Sequence, residues 1–105
     1  MVVGTEDAIF HALGDGTRRD ILATVLQADH SVSGLARRYP MSFAAVQKHV
    51  ATLERAGLVT KTRRGREQRV RGNVDTVRRA HALLDQLETQ WRERVDRMQE
   101  VLGEP

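Results

Sequence analysis

Three features of the 105-residue chain predict a mostly α-helical fold with one small β-hairpin and a long C-terminal helix. Apolar residues recur at helical spacing through four short segments, each ended by Gly, Pro or a polar break. A stretch of branched and basic residues centred on Gly65, from Leu58 to Arg71, has the pattern of two short strands and a turn. From Val74 onward neither Gly nor Pro occurs before Gly103.

The first helix is expected from Glu6 to Leu13, with Ile9, Phe10 and Leu13 on one side, and Gly14-Asp15-Gly16 breaks it. Thr17 is the expected cap of the second, whose apolar stripe is Ile21, Leu22, Val25 and Leu26 until Ala28-Asp29-His30. Ser31 or Ser33 caps a short third helix with Leu35 and Ala36 inward and Arg37 and Arg38 outward, and Pro40 halts it. After only Pro40-Met41, Ser42 caps the fourth, which runs through Arg55 with Val46, Val50 and Leu53 on its buried stripe and Gly57 as its stop. The outer face of this helix is small and polar: Ala44, Gln47, Lys48, Ala51 and Arg55. Two helices across so short a turn predict a helix-turn-helix.

In the hairpin, Leu58 to Thr62 and Gln68 to Arg71 flank Arg64-Gly65-Arg66, and charged residues leave both faces solvated except at Leu58, Val59 and Val70. Six basic residues between Lys61 and Arg71 face Glu67 alone, a local charge of +5 in a chain of net +3. A protruding basic wing next to a recognition helix suits phosphate contacts beside base-edge contacts. In the last helix Val77, Leu84, Trp91 and Met98 recur every seven residues, with Ala80, Leu87 and Leu102 between them. A helix of nearly thirty residues is roughly 40 Å long, more than so small a core can cover, so a second chain is expected on its seam. The order of elements is that of a winged helix-turn-helix with a long C-terminal dimerisation helix. One domain over residues 1–105 is expected, with a DNA-binding core at about 6–73 and the dimerisation helix at about 74–102.

Composition narrows the function classes. The chain is 40% hydrophobic and 30% charged, an ordinary globular balance, with four aromatics and no cysteine. Disulfides, thiolate metal sites and Cys nucleophiles are therefore excluded. No apolar run is long enough to span a bilayer, and the start lacks a signal peptide's basic region, so no membrane partner and a cytoplasmic location are expected. No catalytic residue is assigned: there is no phosphate-cradling glycine loop and no His pair at HExxH spacing. No cofactor is implied. The wing carries no aromatics for stacking single-stranded bases, which argues against RNA.

Residues Phe10 to Leu22, reading FHALGDGTRRDIL, resemble the opening of the ArsR/SmtB family of repressors. The run SFAAVQKHVATLERAGLV, from Ser42 to Val59, resembles that family's recognition helix and first wing strand. With the Gly65-Arg66-Glu67 wing and the long last helix, the resemblance extends over roughly residues 6 to 100. It implies a homodimeric repressor on double-stranded operator DNA, with Gln47, Lys48 and neighbouring positions Ser42, Ala44 and Arg55 towards the major groove. Arg63, Arg64 and Arg66 are the expected wing contacts, and Leu84, Leu87 and Trp91 the expected dimer contacts.

Many members of that family sense metals. Their thiolate ligands lie on the short helix before the turn, where this chain has Ala36 and Arg38, so no such site is expected. His81 and Asp85, one turn apart on the last helix, are the only comparable pair, and such a pair is ordinary on a solvated helix. Metal or small-molecule effectors are not specified by the sequence. His49 is open between a buried structural role and a phosphate contact, and Asp15 is expected to cap a helix rather than to do acid-base chemistry. A winged-helix protein adaptor is the rival from another class, which the arginine-rich wing argues against.

Overall fold

The computed structural model describes residues 5–103. In chain order the elements are α1 (Thr5–Leu13), α2 (Gly16–Gln27), β1 (His30–Ser31), α3 (Val32–Ala36), α4 (Phe43–Arg55), β2 (Val59–Arg64), β3 (Glu67–Gly72) and α5 (Val74–Gly103). The architecture is a winged helix-turn-helix followed by a long helix. The expectations about a leader and about a domain over 1–105 both reach outside the described residues.

The core is where the apolar stripes of α1 to α4 meet the sheet. Ile9, Ile21, Val25, Leu35, Val46, Val50, Leu53, Val59 and Val70 are all essentially without solvent exposure. Each such side chain contributes about 1.5–3 kcal/mol of burial. On α1 the second fully buried residue is Ala12, while Phe10 and Leu13 are half-buried against the core.

Three local expectations are corrected. Of the two residues expected to cap a helix here, Asp15 and not Thr17 caps α2: its backbone is extended (φ −124°, ψ 131°) and its carboxylate accepts the Arg18 N–H at 3.0 Å. A charged acceptor at a helix N-terminus outcompetes a hydroxyl two residues inside it. The third helix ends at Ala36, so Arg37 and Arg38 lie in the turn beyond it, still exposed. Ser31 is its cap, accepting from the Gly34 N–H at 2.9 Å. Finally, the sheet has three strands, in the order β1-β3-β2, rather than two. His30 and Ser31 pair antiparallel with Val70 and Arg69. A two-residue strand carries no readable alternation, and its partner is remote in sequence.

Gly57 joins three elements. Its φ of +78° ends α4 in a left-handed residue. The Gly57 N–H donates to Glu54 O at 2.9 Å and the Leu58 N–H to Leu53 O at 3.0 Å, a Schellman closure. Gly57 O in turn accepts from Asn73 Nδ2 at 3.1 Å and Thr76 Oγ1 at 2.7 Å, while the Asn73 N–H donates to Leu58 O at 2.8 Å. Recognition helix, wing and α5 thus share one hydrogen-bonded junction.

Beyond that junction α5 is buried only at Thr76 and Ala80, with Val77 packed at the core's edge. It contacts α1 and then projects, which makes the molecule 72 Å long but only 29 by 22 Å across.

Gly72 closes β3 against α2. A Cβ there would lie 2.7–2.8 Å from the Leu26 side chain and 3.0 Å from its Cα. Leu26, expected inward, is left 40% exposed over this glycine, so its side chain can swing away, but its backbone cannot. Gly72→Ala should therefore destabilise the fold by about 1–3 kcal/mol in denaturant titration, an overpacking cost. Gly65→Ala makes a poor control because its φ is +62°; Gly16→Ala, with its nearest contact at 3.7 Å, is the better one and should be close to neutral.

Candidate nucleic-acid interface

The face opposite the buried stripe of α4 is open. Ser42 starts the helix by accepting the Ala45 N–H at 3.1 Å, and its hydroxyl proton remains available. Ala44, Gln47 and Lys48 are exposed over the next two turns, and Arg55 is exposed at the far end, its guanidinium donating to Thr52 Oγ1 at 3.2 Å. Ala51 is half-buried. Among the described residues Lys48 forms no ion pair. The turn before α4 is tied down by Tyr39, whose hydroxyl donates to Asp20 Oδ2 at 2.6 Å. Burial first, and then this carboxylate, raise the Tyr39 pKa above its ordinary 10.0, so the bond persists through neutral pH.

Behind the helix, Arg18 braces three elements. Its guanidinium donates to Ala12 O at 2.7 Å and His11 O at 3.1 Å, closing the C-terminus of α1. Its third nitrogen lies 3.3 Å from His49 Nδ1 on α4, and since a guanidinium only donates, Nδ1 accepts. The Asp15 carboxylate stands 4.0 Å from the same ring nitrogen. His49 therefore faces inward to the α1–α2 junction, with a structural bracing contact.

The wing sorts its cations. Lys61 pairs with Glu54 of α4 at 3.5 Å, Arg69 with Glu67 at 3.6 Å, and Arg71 with Asp29 at 3.3 Å. The +5 counted along the sequence is thus partly neutralised by carboxylates from α4 and from the α2–β1 loop. Arg63, Arg64 and Arg66 have no carboxylate partner among the described residues, and they surround the tip. Arg63 donates to Gly65 O at 3.3 Å, which steadies it against its own turn. The two-residue turn joins paired Arg64 and Glu67, with Gly65 at φ +62° in its first position, as a type II′ hairpin requires. Asp29 and Glu54 were not anticipated, because their partners are distant in the chain and no local pattern marks them.

On α5, Leu84, Leu87 and Trp91 are 55%, 57% and 61% exposed and lie along one side, continued by Met98 and Leu102. Nothing among the described residues covers them. His81 and Asp85 are exposed beside Leu84 and Glu88, and the described residues contain no group of three His or carboxylate side chains placed to hold a metal ion. No helix among the described residues is long and apolar enough to cross a membrane.

An outward helix beside a cationic hairpin, on a helix-turn-helix frame, defines a winged-helix transcriptional regulator. A family model described as "Bacterial regulatory protein, arsR family" matches residues 15–61, from the cap of α2 into the first wing strand. An ArsR-like transcriptional regulator from Rhodococcus sp. RHA1 is 33% identical with a TM-score of 0.83, the match covering 92% of each chain. The uncharacterised HTH-type transcriptional regulator YuzN of Bacillus subtilis is 41% identical over 60% of this chain and 76% of its own. A homodimeric winged helix-turn-helix DNA-binding domain from Mycobacterium bovis, a possible ArsR-family regulator, is 25% identical with a TM-score of 0.66, covering 82% of this chain and 80% of that one. The chain belongs to the ArsR family of transcriptional regulators.

The Asp15 carboxyl is held below its ordinary 3.8, chiefly by the Arg18 backbone N–H and then by the charge of Arg18, against some desolvation. A lowered folded-state pKa means stability that is present above the ordinary value and lost as pH falls through the folded value. Thermal melts from about pH 7 to pH 2 should show this loss below about pH 4. Asp15→Asn, which keeps the cap bond, should flatten that acid limb with little effect at neutral pH, whereas Asp15→Ala should also lower the neutral melting temperature.

Proposed function

We propose that this chain is a homodimeric repressor that reads an inverted-repeat operator with α4 in the major groove and grips the flanking phosphates with the tip of its wing. The observation that carries this is the sorting of charge: Arg63, Arg64 and Arg66 stay unpaired at the tip, next to the open face of α4, while the other wing cations are tied to carboxylates. Exposed, unpaired guanidinium groups gain by releasing counterions from a phosphate backbone. Gln47 and Lys48 are suited to base edges, the amide to adenine and the ammonium to guanine. Ala44 leaves room for close approach, the Ser42 hydroxyl can donate to phosphate, and Arg55 reaches the backbone from the far end.

The second chain covers the α5 seam through Leu84, Leu87 and Trp91, so residues of about 6–73 act as the DNA-binding part and about 74–102 as the dimerisation helix. The homodimer of the Mycobacterium bovis relative supports this. A contiguous apolar stripe of this kind is rare on a monomer's surface. A two-fold axis then presents two copies of α4 to successive major grooves.

Sedimentation of the wild type at tens of micromolar should give a dimer, and Trp91→Arg a folded monomer. A monomeric wild type at that concentration, well above ordinary dimer dissociation constants, would end the two-chain reading.

The two DNA-contacting parts should fail differently. Gln47→Ala or Lys48→Ala should cost about 1–3 kcal/mol on the operator and leave weak binding to random duplex nearly intact. The combined replacement of Arg63, Arg64 and Arg66 by Ala should weaken both alike and flatten the slope of log affinity against log salt by about 0.9 per lost phosphate contact. Random-duplex affinity unchanged in the triple variant would remove the wing from the interface, and no DNA binding at any salt would favour the protein-adaptor alternative.

A further inference from the structure

Of the four aromatic side chains, three have evident places: Phe10 and Tyr39 pack against the core, and Trp91 lies on the α5 seam. Phe43 has none. It is 47% exposed, lies outside the core, and has small or polar neighbours in Ser42, Ala44 and Gln47. Its location is nevertheless well defined, because it is the first residue of α4 and follows the Ser42 cap directly.

We infer that Phe43 is a specificity-determining residue that reads thymine, its ring packing on the C5-methyl group in the major groove. This rests on the operator reading above and deepens it. The N-terminal residues of a recognition helix approach the base edges most closely. Along the major groove the thymine methyl is the apolar group that base edges offer, and an aromatic ring can bury it. Phe43 and Gln47 are four residues apart and so share a flank of α4. Gln47's amide matches adenine on its N6 and N7 edge, so ring and amide together favour adjacent A·T pairs in each half-site. Exposing an aromatic ring to water costs apolar surface in the free protein, and DNA binding recovers it.

Sites would be selected from random duplex with the full chain. Each thymine of the selected site would then be replaced singly by deoxyuridine, which removes only the methyl group. Affinities for wild type, Phe43→Ala and Phe43→Leu would be measured by fluorescence anisotropy at one salt concentration, after thermal melts confirm that the variants fold. The wild type should lose about fourfold per half-site at one symmetric pair of thymines, roughly tenfold or more when both are replaced. Phe43→Ala should bind the thymine site weakly and be indifferent to deoxyuridine, and Phe43→Leu should keep part of the discrimination. A Phe43→Ala variant that discriminates as the wild type does overturns the inference, as does one weakened equally on random duplex. If selection enriches no sequence, the operator reading fails and this inference with it; an enriched site that Phe43→Ala binds like the wild type defeats this inference alone.

Discussion

The junction at Gly57 is the constraint on which the rest of the molecule depends. One carbonyl oxygen, at the end of α4, accepts from both Asn73 and Thr76, while the preceding Schellman closure turns the chain into the first wing strand. A left-handed φ at this point is open to glycine at little cost and would strain other residues by about 1 kcal/mol or more. The angle between α4 and the wing, and the direction in which α5 leaves the core, are both set there. Thr76 is the one buried polar side chain among the described residues, and its hydroxyl is satisfied at this junction. Breaking the junction would leave a buried carbonyl and hydroxyl unpaired, which costs more than the bonds themselves contribute.

Charge serves shape in one part of the wing and is left unpaired in another. Half-exposed ion pairs such as Lys61–Glu54 and Arg71–Asp29 contribute little stability, about 0–1 kcal/mol each. Their effect is geometric: they tie one strand to α4 and the other to the α2–β1 loop, so the hairpin stands at a defined angle to α4. The tip arginines are left outside this lattice. An unpaired tip on a braced stem suits contact with a polyanion, because few degrees of freedom remain to be frozen when it forms.

The same economy explains Arg18. With the Asp15 carboxylate at its backbone N–H and its guanidinium on two carbonyls of α1, it turns a glycine-rich break into a rigid corner. His49 rests on that corner, so the orientation of α4 is coupled to the packing of α1 and α2 rather than to its own stripe alone.

Periodicity and caps made the helices legible from the sequence. The Val46, Val50 and Leu53 stripe, the Ser42 cap and the Gly57 stop all act within a few residues of one another, and the structure has each where the pattern puts it. The unbroken run after Val74 likewise determined a helix too long for its core, because length and rise per residue need no tertiary information. The family was legible too, since its two motifs lie on contiguous stretches. What the sequence could not decide was anything made by residues far apart in the chain. The third strand is two residues long and exists only because Val70 and Arg69 are beside it. Which wing cations are free was decided by Asp29 and Glu54, brought in by the packing of α2 and α4. Local patterns fix local hydrogen bonds and burial, whereas ion pairs and short strands follow from proximity that only the folded chain creates.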